Sequence, residues 1–262
     1  MTAPVPRPAE GDAPSPLRRI VFGLGAALVC LVLVGLGTWQ VQRRAWKLDL
    51  IATTEARVHA APVPAPSPPV WAGIGPGDAY RHVTLSGRFL HDRETLVQAV
   101  TDYGAGFWVI TPLRRDDGTL VLVNRGFVPG DRREPAAREA GQVEGPVTVT
   151  GLLRLTEPHG AFLRSNAPAQ NRWYSRDVTA IAAARGLAEV APYFVDADAA
   201  PNPGGWPVGG LTVVSFPNNH LVYAVTWYGL ALMLAAFGLF RLAGRPAGPS
   251  TGGPTRGQSL GE

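Results

Sequence analysis

Two long apolar runs bracket this chain, at residues 20–39 and 221–242, and they constrain its fold more than any other feature. Each reaches the roughly 20 residues that a helix needs to cross a hydrocarbon core about 30 Å thick. Neither carries a Lys, Arg, Asp or Glu before its final turn, where Arg241 closes the second. Backbone inside lipid must satisfy its own hydrogen bonds, so both runs read as spanning helices. The polar sequence between them forms a domain outside the bilayer. The second run opens on a histidine, in Asn218-Asn219-His220-Leu221. An imidazole at the mouth of a span is the first place to look for chemistry.

The organisation follows from these two runs. Residues 1–17 are expected to be a disordered cytoplasmic tail, with Pro at 4, 6, 8, 14 and 16 and no apolar periodicity. The first transmembrane helix covers 18–40. It is too long for a signal-peptide core, and no small-x-small cleavage site follows it. Trp39, Arg43, Trp46, Leu50 and Thr54 recur at helical spacing, which predicts an amphipathic extension over 41–60. Alternating prolines in Ala61-Pro62-Val63-Pro64-Ala65-Pro66-Ser67-Pro68-Pro69 predict an extended Pro/Gly-rich linker over 61–79. A β-rich domain occupies 80–219, the second transmembrane helix 220–242, and a disordered tail 243–262.

Charge sets the expected orientation. Arg7, Arg18 and Arg19 precede the first span, and Arg241, Arg245 and Arg256 end or follow the second. Both termini are then cytoplasmic and the central domain extracytoplasmic. Arg43, Arg44 and Lys47 lie on the opposite side, but long loops obey the charge rule weakly.

Between the spans the apolar period falls to two. Strand signals cover 81–90, 95–100, 107–113, 119–124, 147–153, 193–196 and 211–216, rich in β-branched and aromatic residues. Asp116-Asp117-Gly118 is a hairpin turn. Residues 178–185 read as a short helix with Asp177 as N-cap and Gly186 past its end. The fold class is therefore α+β: two transmembrane helices flanking an extracytoplasmic, mostly antiparallel β domain, barrel-like, with short helices.

The net charge of +4 is dispersed along the chain, with no basic stripe for nucleic acid. Cys30 is the only cysteine, so no intrachain disulfide or CxxC pair exists. His82, His91 and His159 lack metal-ligand spacing, and neither Met1 nor Met233 stands beside a histidine for copper. The chain has no G-x-S-x-G, no glycine-rich phosphate loop and no H-E-x-x-H, so it does not read as an enzyme.

Several longer motifs stand in one order. They are Gly35-Leu36-Gly37-Thr38-Trp39-Gln40-Val41-Gln42-Arg43-Arg44-Ala45-Trp46-Lys47-Leu48, Gly106-Phe107-Trp108-Val109-Ile110-Thr111-Pro112-Leu113 and Val123-Asn124-Arg125-Gly126-Phe127-Val128-Pro129. Asn171-Arg172-Trp173-Tyr174-Ser175-Arg176-Asp177 and Asn219-His220-Leu221-Val222-Tyr223-Ala224-Val225-Thr226-Trp227-Tyr228-Gly229-Leu230 continue the series. Over residues 30–242 the chain resembles the surfeit locus protein 1 family. That resemblance implies an assembly factor for haem-copper cytochrome c oxidase in the bacterial cell inner membrane. It implies haem A as cofactor, and the oxidase catalytic subunit, haem A synthase and the lipid bilayer as partners. In bacterial members the second-span histidine is implicated in haem A binding, and that position is His220 here.

The residues add a physical case to that resemblance. Imidazole is a standard axial ligand of haem iron, which makes His220 the metal-ligating candidate. Tyr223, Trp227 and Tyr228 follow at i+3, i+7 and i+8 and could face a porphyrin from one side of the helix. Arg43 and Arg44, with Lys47, suit carboxylate groups such as haem propionates at the membrane face. The plainer alternatives are an interfacial aromatic belt around His220 and lipid headgroups for the basic residues. Trp39 and Trp46 read as interfacial anchors or as packing for the second span. In Asn124-Arg125-Gly126, Arg125 is expected to be a buried structural residue paired with Asp177 or Glu157. A scaffold that holds the nascent oxidase subunit without touching haem is the competing function.

Overall fold

The computed structural model describes residues 16–158, 160, 163–214 and 216–243. The tail expected over 1–17 lies outside them up to residue 15, as do His159, Arg245 and Arg256. The elements run α1 (Pro16–Val58), β1 (Val63–Pro64), β2 (His82–Phe89), β3 (Thr95–Thr101), β4 (Gly104–Arg114), β5 (Leu120–Pro129), β6 (Val147–Leu155), α2 (Val178–Arg185), β7 (Val190–Ala197) and α3 (His220–Ala243), with short 3₁₀ turns between them. They fall into two compact units. One holds the described residues up to Asp49 and from Pro217 onward, the other those of Leu50–Phe216.

The first unit is helical. Pro16 opens α1, where its missing N–H would have no partner anyway, and no further proline interrupts the helix before Val58. The expected extension is therefore continuous with the apolar run. Both α1 and α3 are long and apolar enough, by length and composition, to cross a membrane. Their apolar side chains point outward on most sides: Phe22, Leu31, Leu232 and Phe240 are 70–74% exposed. Water would penalise such a surface heavily, whereas hydrocarbon does not.

Small residues make the contact between the two helices. Gly37, Ala224 and Ala231 are buried, and the Tyr228 ring rests on the bare backbone of Gly37. A Cβ at that position would lie 2.8 Å from the ring. Tyr228 Oη hydrogen-bonds Thr38 Oγ1 at 3.0 Å, and Cys30 Sγ approaches Ala231 O at 3.7 Å. Close backbone approach through small side chains is the usual means of association where no hydrophobic effect operates between helices.

The second unit is a closed sheet. The strand order is β1-β2-β6-β7-β5-β4-β3, and β2 also pairs with β4, so β2, β6, β7, β5 and β4 form a barrel. Among the named strands, β1–β2 and β5–β7 pair in parallel. Closure occurs at Arg88↔Arg114 and Phe89↔Leu113. Gly87 permits it, since a Cβ there would meet Arg114 O at 2.2 Å. Alternation along the strands fills both faces. Val83, Leu85, Leu113, Val121, Val123, Leu153, Tyr193 and Val195 form one core, with contributions from each barrel strand. Their neighbours Ile110, Leu122 and Phe194 join Val97, Trp173, Val178 and Ile181 in a second core under α2. As expected, α2 covers residues 178–185. Asp177 accepts the Ala180 N–H at 3.0 Å, and left-handed Gly186 closes the far end.

The extended Pro-rich stretch joins the barrel, and two expectations need correction. Val63 and Pro64 pair with Val83 and Thr84, and the buried Pro66 carbonyl accepts from Trp71 Nε1, Arg115 Nη1 and Tyr193 Oη. Proline leaves its carbonyl free, and here three donors from the barrel claim it. Burial accordingly pushes the Tyr193 phenol up to about 12. The described residues of 211–216 form no strand. Thr212 turns its hydroxyl to Asp196 instead, at 3.0 Å.

Arg125 is buried, yet it pairs with neither Asp177 nor Glu157. It donates to Gly141 O and Asn202 Oδ1 and lies over the Phe89 ring. Burial pulls its pKa down to about 10, against the pull of Glu94. Glu157 instead binds Arg176, and Asp196, only 2% exposed, anchors the cluster. Asp196 accepts from Asn124 Nδ2 at 2.8 Å, Arg154 Nη1 at 2.8 Å and Arg176 Nη1 at 2.9 Å. Burial disfavours the Arg176 cation, but Asp196 and Glu157 outweigh it and raise its pKa.

Candidate functional site

His220 is the first residue of α3. Pro217 precedes it by three residues, and Asn219 O accepts the Tyr223 N–H at 3.3 Å to close the first turn. The ring is half-buried. Its Nδ1 lies 2.7 Å from Oε1 of Gln40 on α1. An amide oxygen only accepts, so this contact calls for the tautomer with the proton on Nδ1. A neutral imidazole has one N–H, which leaves the Nε2 lone pair unprotonated. Among the described residues, no hydrogen bond reaches Nε2.

The expected aromatic face divides. Seven residues are about two helical turns, so half-buried Trp227 lies on the same side of α3 as His220. Tyr223 accompanies them and is 54% exposed. Tyr228 belongs to the helix contact through Gly37 and Thr38 and is not on that face. By helical spacing His220, Tyr223 and Trp227 share a side of α3, while Tyr228 packs against Gly37 and Thr38.

The basic residues divide as well. On α1 the half-buried stripe runs through Cys30, Gln40, Arg44 and Lys47. Arg44 follows Gln40 by one turn, about 6 Å along the axis. Arg43 is exposed on another side, its guanidinium 3.9 Å from the Trp46 ring centre. Of the two, Arg44 lies on the half-buried stripe that holds Gln40. Trp39 and Trp46 are 54% and 51% exposed.

Gln40 is the residue that sequence reasoning missed. Its partner is 180 positions away, beyond the reach of any local pattern. The available signal was its type and place: a side-chain amide at the end of an apolar run, where a polar group without a partner is costly.

The chain is similar to several known proteins. A family model described as the SURF1 family matches residues 27–232. The human protein named Surfeit locus protein 1 is 42% identical over 221 residues, covering 78% of this chain and 72% of that protein. The mouse protein of the same name is 43% identical over 212 residues, covering 75% and 67%. A SURF1-like protein of Monosiga brevicollis is 41% identical over 225 residues, covering 81% and 84%. The matched span runs from within α1, through the barrel, into α3, and on this evidence the chain belongs to the SURF1 family.

Proposed function

We propose that this chain is a cytochrome c oxidase assembly factor of the bacterial inner membrane that carries haem A as cargo. In this reading it receives haem A from the synthase and passes it to the oxidase catalytic subunit. Both termini lie in the cytoplasm and the barrel in the periplasm. His220 supplies the iron ligand through Nε2, Trp227 and Tyr223 offer ring surface beside it, and Arg44 and Arg43 meet the propionates.

The observation that carries the reading is the state of His220. Its Nδ1–H is already committed to Gln40, which leaves a lone pair on the nitrogen most often used for iron. The donor set suits the cargo: one neutral imidazole, an aromatic flank and a guanidinium a turn away. A single protein ligand also suits a carrier, which has to release what it holds. Nothing in this role requires bond-making by the protein, so the reading is non-catalytic.

The test is complementation. In cells lacking the chain, His220→Ala is expected to give an oxidase subunit with a reduced haem a content, although the variant accumulates in the membrane normally. If His220→Ala restores full haem a to the oxidase, the chain acts as a scaffold for the nascent subunit and the haem reading fails.

A further inference from the structure

Gln40 is joined to His220 across the two helices of the first unit. The 2.7 Å contact connects Nδ1 at the start of α3 to Oε1 at the end of the apolar part of α1. Without an acceptor at Nδ1, a neutral imidazole distributes its proton between both nitrogens, and its ring turns about χ2. With the acceptor, one tautomer and one ring orientation are selected together. In metal sites the partner of the second ring nitrogen does this work, and its removal typically weakens metal affinity by about 10–100-fold. The usual partners are carboxylates, backbone carbonyls or water. Here the partner is a neutral side-chain amide, which raises the basicity of Nε2 less than a carboxylate would.

We propose that Gln40 is a positioning residue that locks His220 in the Nδ1–H tautomer and presents Nε2 to haem iron. The inference rests on the haem-carrier reading above. It also makes ligation depend on helix pairing, because the acceptor and the ligand sit on different helices. The neutral amide keeps the ligand strong enough to load and weak enough to release.

The experiment uses the full chain, ¹⁵N-labelled at histidine, in lipid nanodiscs, with ferric haem as the titrant. In haem-free wild type the His220 signals should show protonated Nδ1 and unprotonated Nε2. Gln40→Leu should move the population toward the Nε2–H form and weaken haem binding by about 10–100-fold. Gln40→Glu, which keeps an acceptor, should retain the tautomer, bind at least as tightly and release more slowly. Helix pairing in each variant is checked by oxidative cross-linking of Cys30 to a cysteine introduced as Ala231→Cys.

An Nε2–H tautomer in the wild type overturns the proposal. So does Gln40→Leu with unchanged haem affinity and intact cross-linking while His220→Ala loses the haem. Equal haem binding by His220→Ala and wild type instead overturns the haem-carrier reading on which the proposal depends.

Discussion

Replacing Asp196 with Ala removes one acceptor from four donors: Asn124, Arg154, Arg176 and Thr212. The carboxylate is 2% exposed, and the Arg154 and Arg176 side chains are 18% and 14% exposed. Deleting one partner of a buried ion pair typically costs about 3–5 kcal/mol, because the remaining charge is left uncompensated in a poor solvent for it. Glu157 stays within reach of both arginines after the substitution. One carboxylate then serves both guanidiniums, which puts the cost near the lower end, about 3 kcal/mol. At 1.4 kcal/mol per factor of ten, that is a loss on the order of 100-fold in the folding equilibrium. Hydrogen exchange of the full chain in nanodiscs measures it on peptides from β5, β6 and β7, whose slowest amides report the opening of the barrel. Asp196→Asn keeps an acceptor without the charge and should fall between wild type and Asp196→Ala. If Asp196→Ala leaves the protection of these strands within about threefold of wild type, the reasoning that places this carboxylate at the centre of barrel stability is wrong.

Two further outcomes follow from other parts of the molecule. His82 donates from both ring nitrogens, to the Ala60 carbonyl and to Asp198, each at 2.8 Å. Burial pulls its pKa down, but these partners outweigh it and raise the value above the ordinary 6.5. The stabilisation is therefore fully present below about pH 6.5 and is lost as the pH rises through the raised folded-state value. Exchange at Ala60 and the following residues, corrected for the intrinsic rate, should accelerate over that window, and His82→Ala should abolish the pH dependence. In the helical unit, Gly37→Ile should push the Tyr228 ring off α1 and lower the yield of the Cys30 to Ala231→Cys cross-link several-fold; an unchanged yield would mean that the glycine contact does not hold the helices together.

How far the sequence discloses this fold depends on how local each cause is. The two spans are read from apolar length alone. Helix α2 is read to the residue because its signals, Asp177 before and Gly186 after, are adjacent to it. The barrel strands show in their alternation, and the turn at Asp116-Asp117-Gly118 shows in its residue types. What stays hidden is non-local. Closure of β2 on β4 depends on Gly87 meeting Arg114. The Pro66 carbonyl is claimed by a tyrosine 127 positions away. The pairing of Asp196 with Arg154 and Arg176, rather than of Arg125 with Asp177 or Glu157, is decided by which strands become neighbours. The described residues of 211–216 have strand-forming side chains but form no strand, and Thr212 bonds Asp196 instead, so tertiary contacts override propensity.

The candidate site follows the same division. His220 is visible as a histidine at the mouth of an apolar run, and its weight as a ligand comes from family resemblance. The face shared with Trp227 follows from helical spacing. The separation of Arg43 from Arg44, and of Tyr228 from Tyr223 and Trp227, required the helix pairing. Gln40 required it entirely.

The central claim is that His220 holds haem A through Nε2, and pigment analysis tests it most directly. The full chain is purified from membranes of cells that make haem A, and the bound pigment is extracted and quantified per chain. Wild type should carry haem A in near-equal amount to protein, and His220→Ala should lose most of it and the associated Soret band. A colourless wild-type protein, or a His220→Ala protein with the same haem A content and spectrum, would contradict the account.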